Sequence, residues 1–181
     1  MIKQLTLILG GVRSGKSDFA QTLARQRGGD AVAFVATAEA RDDEMRARIA
    51  AHRAARPAAW QTLEAPRAVA RALAAVTDAR VIVVDCVTLW ASNVLLAEEA
   101  NALAVMAREI DELFAWYRAH DATLILVSNE VGMGLVPDNA LGRAYRDLLG
   151  AVNKKIAAVA DEVFLLVAGL PIEIKREMAR K

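Results

Sequence analysis

Apolar side chains in this chain fall into short, nearly unbroken blocks, separated by longer stretches in which they recur every three or four positions. The blocks are QLTLIL (4–9), AVAFVAT (31–37), RVIVVD (80–85), ATLILVS (122–128) and EVFLLVA (162–168). Runs this rich in Val, Ile, Leu and Ala suit strands buried on both faces, as in a mostly parallel sheet covered on each side by its crossovers. The periodic stretches predict helices over 16–27, 42–56, 66–76, 100–119 and 139–159, and WQTLEA (60–65) adds a further, edge strand. Strand and helix alternate, which spells α/β.

No repeat, low-complexity tract or Gly/Ser linker divides the chain, so residues 1–181 are taken as a single domain. The longest non-periodic connection, SNEVGMGLVPDN (128–139), follows a strand block, where open α/β sheets seat ligands. With 55% hydrophobic residues, 181 positions suffice for one substantial core. Charge narrows the partners: 23 basic and 22 acidic side chains nearly cancel, which leaves no global field to recruit nucleic acid or an anionic membrane. The lone Cys86 excludes an internal disulfide framework and a multi-cysteine zinc site, and fits a reducing, cytoplasmic setting. No stretch approaches the roughly 20 apolar residues of a membrane span, and the first block is too short for a signal peptide.

Chemistry enters at LILGGVRSGKSDF (7–19). Gly10, Gly11, Val12, Arg13, Ser14, Gly15, Lys16 and Ser17 satisfy G-x-x-x-x-G-K-[ST] between a strand and a helix, the context in which that motif binds phosphate. Glycines let backbone N–H groups converge on phosphate oxygens, the helix N-terminus adds its dipole, Lys16 can reach the β and γ phosphates, and Ser17 can ligate Mg²⁺. Asp85, ending the third block, suits the companion acid that holds Mg²⁺ directly or through water; the same position also suits a cap for a following helix. Phosphoryl transfer, nucleotidyl transfer and a nucleotide switch all remain open on these residues.

Two imidazoles are present. His120 ends a helix, where carbonyl capping and the dipole account for it. His52 lies in DDEMRARIAAHRAARP (42–57), where spacing places Glu44, Arg48 and His52 on one face with Arg53 and Arg56 nearby. That pattern fits a solvated, charge-paired helix. The sharper alternative is an imidazole nucleophile that forms a phosphoramidate while arginines stabilise the attacked phosphate, which spacing alone does not favour.

GGVRSGKS (10–17), the segment 34–66 with DDEM, RI, HR and RP in fixed spacing, VDCVTLWASN (84–93) and SNEVGMGLVP (128–137) together resemble the bifunctional adenosylcobinamide kinase/adenosylcobinamide-phosphate guanylyltransferase family of cobalamin biosynthesis, nearly end to end. The resemblance implies a P-loop NTPase-like (RecA-like) sheet. It implies two reactions: ATP or GTP phosphorylates adenosylcobinamide, and GTP then transfers GMP to adenosylcobinamide phosphate through a GMP-histidine intermediate, releasing pyrophosphate. His52 matches the nucleophile. GTP contacts are implied at the phosphate loop, at Thr37, Ala38 and Glu39, near Arg53 and Arg56, at Glu64 and at Asp85, and the assembly implied is a homotrimer. A carboxylate at Glu64 would suit the donor edge of guanine. Arg143, Arg146 and Asp147 are candidates for corrinoid contact or for an ordinary salt-bridged helix face. Two departures stand beside these: Gly142 replaces an expected alanine, and NKK (153–155) an expected Asn-Gln start.

Overall fold

All five apolar blocks form strands, and WQTLEA supplies a sixth. The computed structural model describes residues 3–54 and 56–176. In chain order these are β1 (Leu5–Gly10), α1 (Lys16–Gly28), β2 (Val32–Ala36), α2 (Asp43–Ala54), β3 (Gln61–Glu64), α3 (Val69–Ala72) continuing as a 3-10 turn (Leu73–Ala75), β4 (Val81–Asp85), α4 (Val87–Ala97), a 3-10 turn (Glu99–Asn101), α5 (Ala102–Ala119), β5 (Thr123–Val127), α6 (Ala140–Val159), β6 (Glu162–Val167) and β7 (Leu170–Arg176). They make one seven-stranded sheet of order β3-β2-β4-β5-β1-β6-β7. Only β6 and β7 pair antiparallel.

Because strand side chains alternate, each block feeds two cores. Leu5, Leu7, Ile82, Val84, Leu124 and Leu126 join the larger one, beneath α3 to α6, while Ile8, Val81, Val83, Ile125 and Val127 face Ala20 and Ala24 of α1. Helix α2 belongs to neither core, and none of its residues with a described side chain is buried. Among the described residues no helix is long and apolar enough to cross a membrane.

Three elements differ from expectation. The helix expected over 66–76 shrinks to α3 and its 3-10 turn, since Pro66 precedes Ala68, whose φ of 51° is left-handed and cannot continue a helix. Helix α4 has no counterpart among the predicted helices: VTLWASNVLLA is apolar on nearly every side, with Val87, Trp90, Ala91, Val94 and Leu95 all buried, so it lacks the one-sided period that marks a helix. Strand β7 is also additional; Ala168 and Gly169, with φ of 51° and 83°, make the two-residue turn that folds it back on β6.

Trp60 and Trp90 are both buried. Trp60 donates to Gly29 O (3.1 Å), and the wholly buried Trp90 donates to Glu109 Oε2 (2.5 Å). Glu109, itself 6% exposed, also accepts from Ala68 N (2.8 Å) and lies 3.8 Å from Arg67. One carboxylate thus ties α5 to α4 and to the strained entry of α3. Glu109→Ala would orphan two buried N–H groups and is expected to lower unfolding stability by about 2–4 kcal/mol in urea titrations. Leu103→Ala, on the exposed side of α5, is expected to change it by less than about 0.5 kcal/mol.

Candidate active site

The phosphate loop is shaped by what its glycines allow. A Cβ at Gly10 would sit 2.6 Å from both Leu166 O and Ser14 Oγ, and Gly15 adopts φ 89° to start α1 without a side-chain cap. The first-turn N–H groups of α1 are therefore open to an anion, with the helix dipole behind them. Ser14 Oγ is buried with no protein partner, a polar atom that a phosphate oxygen would satisfy. The loop is clasped on two sides: Gly169 N, in the β6–β7 turn, donates to Ser14 O (3.1 Å), and Glu130 N donates to Gly10 O (3.1 Å). Lys16 Nζ folds back to donate to Gly11 O (2.5 Å), and desolvation lowers its pKa against the pull of Cys86 and Asp85.

Asp85 ends β4 next to this loop. Burial raises its pKa, and a hydrogen bond from Ser17, then the charges of His52, Arg56 and Lys16, pull it back down. Its carboxylate therefore faces Ser17, and the capping role falls to its neighbour: Cys86 is the N-cap of α4, with Sγ accepting from Leu89 N at 3.4 Å. Burial, and after it Asp85, pushes the Cys86 thiol up to about 11, so this group is a neutral wall at physiological pH. Ser17 and Asp85 offer a hydroxyl and a carboxylate, a donor set that fits Mg²⁺, which takes oxygen ligands and draws much of its shell from substrate phosphates. Among the described residues no group of three or more His, Cys, Asp or Glu gathers into a self-sufficient metal cage.

A cavity of about 480 Å³ opens over these residues, lined by Val12 to Ser17, Asp85, and on its far wall Met45, Ile49, His52 and Arg56. Met45, Ile49 and His52 follow helical spacing, so the face of α2 that meets the cavity is the one with its two large apolar residues. Glu44, expected on the face of His52, lines neither this cavity nor the next, and the side chain of Arg48 lies outside the described residues. The guanidinium of Arg56 stacks 3.8 Å from the centre of the Phe34 ring and is half desolvated, which lowers its pKa; Asp85 opposes that shift. Adjoining the large cavity, and sharing Ala36, Ala38 and Ile49 with it, a cavity of about 280 Å³ is lined further by Arg46, Arg53, Glu64 and two more alanines. Arg53 Nη1 and Glu64 Oε1 lie 3.5 Å apart, both exposed, a pairing of little energetic weight by itself.

Of the residues expected to touch nucleotide, Val12 to Ser17, His52, Arg56 and Asp85 come together in the large cavity, Arg53 and Glu64 in the small one, and Ala38 lines both. Gly10 and Gly11, at the start of the loop, line neither cavity. Thr37 is wholly buried, its hydroxyl donating to Cys86 O (2.7 Å) and accepting from Cys86 N (2.8 Å), and Glu39 pairs with Arg41 instead of entering either cavity. Thr88, Leu89, Val127 and Asn129 also line the large cavity without having been singled out. Asn129 had a signal, since it follows the carboxyl end of β5. Arg143 donates to Pro137 O and Asp138 O, bracing the loop after β5, and Arg146 lies 3.4 Å from Asp147. Gly142 has a local reason as well: a Cβ there would come 2.8 Å from that of Pro137. His120 caps its helix as expected, with Nδ1 2.7 Å from Trp116 O and its ring stacked on Trp116.

A family model described as "Cobinamide kinase / cobinamide phosphate guanyltransferase" matches residues 6–174. The bifunctional adenosylcobalamin biosynthesis protein CobP of Pseudomonas aeruginosa is 46% identical, over 94% of this chain and 97% of its own length. Those named CobU in Salmonella typhimurium and Escherichia coli are 41% and 38% identical, each over 94% of this chain and 99% of theirs. Among solved structures, the flagellar accessory protein FlaH of Methanocaldococcus jannaschii superposes with TM-score 0.53 at 17% identity, covering 97% of this chain and 80% of its own. A KaiC-like protein of Pyrococcus horikoshii does so with TM-score 0.51 at 18% identity, covering 90% and 70%. These two bear on the fold alone, and they agree with the P-loop NTPase-like sheet that was expected.

Two outcomes check the geometry of the loop and its wall. Gly10→Ala, which cannot keep both Leu166 and Ser14 in place, is expected to weaken triphosphate binding about tenfold or more by calorimetry. Alkylation of Cys86 by iodoacetamide in the native protein should rise about tenfold per pH unit from about pH 8 to about pH 10; a plateau near pH 9 would mark an ordinary thiol.

Proposed function

The chain belongs to the cobinamide kinase / cobinamide phosphate guanyltransferase family, and we propose that one triphosphate-binding cleft performs that family's two reactions in turn. The observation that carries this reading is the meeting of two kinds of group in one cavity: Lys16, Ser17 and Asp85 on the floor, His52 and Arg56 on the wall. A phosphate loop alone serves a kinase. An imidazole facing it gives a second chemistry.

In the kinase step, the hydroxyl of the aminopropanol arm of adenosylcobinamide attacks the γ phosphorus of ATP or GTP. Backbone N–H groups of residues 13–17 and Lys16 hold the phosphate oxygens and stabilise the charge that shifts toward the leaving diphosphate. Mg²⁺, held by Ser17 and Asp85 directly or through water, supplies further neutralisation of the triphosphate when bound. In the transferase step, a ring nitrogen of His52 attacks the α phosphorus of GTP, the bond to the β-phosphate oxygen breaks, and pyrophosphate leaves. Arg56, stacked on Phe34 and close to Asp85, stabilises the charge on the attacked phosphate. An oxygen of adenosylcobinamide phosphate then attacks the same phosphorus, the P–N bond breaks, and His52 is returned free.

Glu64 in the smaller cavity suits the N1–H and N2–H₂ edge of guanine, with Arg53 beside it and alanines that leave room for a flat base. A homotrimer belongs to the same reading, and the exposed Leu170, Ile172 and Ile174 on edge strand β7 support an assembly. Incubation with α-labelled GTP and Mg²⁺ followed by denaturation should leave acid-labile, alkali-stable label on the wild-type chain and none on His52→Asn. His52→Asn should still phosphorylate cobinamide at a rate within about threefold of wild type, whereas Lys16→Ala should lower both activities by about 100-fold or more. Equal labelling of wild type and His52→Asn would remove the covalent step and leave a small-molecule kinase.

A further inference from the structure

Helix α2 holds the nucleophile of the reading above, yet neither core anchors it. Its position depends on the connection 37–42 that leads into it, where Asp42 Oδ1 caps the first turn by accepting from Met45 N (2.7 Å). Beside the bonds of Thr37 to Cys86, that connection is fixed from below by a side chain that reaches both of its ends. Asn93, on the mostly apolar helix α4 and only 6% exposed, donates from Nδ2 to Thr37 O (2.8 Å) and to Pro66 O (3.1 Å), and its Oδ1 accepts from Arg41 Nη2 (3.2 Å). Thr37 begins the connection, Arg41 lies next to the cap of α2, and Pro66 follows the strand that ends in Glu64.

A buried amide in a mostly apolar helix is costly unless it is satisfied, and this one uses both of its donors and an acceptor on two connections at the rim of the cleft. No other side chain of its size repeats the pattern: aspartate would set a carboxylate against two carbonyl oxygens, and leucine would strand both carbonyls. We propose that Asn93 is a positioning residue for guanylyl transfer, holding through Thr37, Arg41 and Pro66 the base of the arm that carries His52. The kinase step, which uses the phosphate loop and not α2, does not depend on it in the same way. This inference rests on His52 being the nucleophile.

The test reads two rates on each preparation: single-turnover formation of protein–GMP from α-labelled GTP, and ATP-dependent phosphorylation of cobinamide. Asn93→Ala is expected to slow protein–GMP formation by about 10- to 100-fold and phosphorylation by less than about threefold, as a misplaced nucleophile loses alignment and not binding. Arg41→Ala, an exposed truncation that keeps the fold, is expected to slow protein–GMP formation by about threefold or more, and to add little when combined with Asn93→Ala because both act through one contact. Val94→Ala, buried on the same helix without a polar partner, should lower Tm and leave the ratio of the two rates unchanged. Equal slowing of both reactions by Asn93→Ala overturns the inference, as does a wild-type rate of protein–GMP formation in Arg41→Ala; the latter variant decides the matter if Asn93→Ala does not fold. Undiminished labelling of His52→Asn overturns the nucleophile itself, a result separable from any behaviour of Asn93.

Discussion

The strands from β3 across to β6 all run the same way, and that constraint gathers the chemistry along one edge of the sheet. Register makes it quantitative: Glu64 lies opposite Ala36, Ala36 opposite Asp85, and Asp85 opposite Val127. With strands about 4.8 Å apart, Glu64 and Asp85 stand roughly 10 Å from each other along a single row. The phosphate loop leaves β1 at the same edge, so the loop and the two acids proposed for Mg²⁺ and for guanine are set out in order before any side chain is chosen. The crossover helices must then cover the faces, which leaves α2 as the one long helix without a face to cover.

Two buried asparagines repeat this logic on opposite sides of the cleft. Asn93 on α4 fixes the connections after β2 and β3, and Asn153 on α6 fixes the one after β5, accepting from Ser128 Oγ (2.7 Å) and donating to Asn129 O (3.0 Å). Both reach upward from helices of the larger core to backbone at the sheet's edge. Loops at such an edge have no apolar layer of their own to hold them, and a fully bonded amide in a dry site gives them a single rest position. Asn153 is the retained residue of the NKK segment, and the departure from the expected pattern falls after it.

How far the sequence discloses all this follows from what each feature depends on. Strands β1, β2, β4, β5 and β6 announce themselves because burial on both faces makes them continuously apolar, and the phosphate loop does so because glycine, lysine and serine are needed at fixed offsets. His52 was visible but ambiguous, since spacing on a polar helix cannot say which face looks inward; Met45 and Ile49 carry that information. Helix α4 was hidden by being apolar all round, and β7 by a turn of Ala168 and Gly169 that lacks the usual Asn or Asp. The work of Thr37 and Asn93 was illegible for a different reason: their partners are backbone atoms up to 56 positions away, and backbone carbonyls leave no trace in composition.

The clasp between Gly169 N and Ser14 O joins the end of the described chain to its beginning. Strand β1 lies between β5 and β6, so its neighbours on both sides are made well after it. A nascent chain therefore carries its phosphate-loop sequence through the synthesis of β2 to β5 without the backbone that shapes it. Such non-local pairing is slow to form, and a nucleotide can favour the folded form only once the last hairpin has emerged and closed on the loop. The phosphate loop and the β6–β7 turn are thus bound into a single folding event, in which a late hairpin completes what an early strand began.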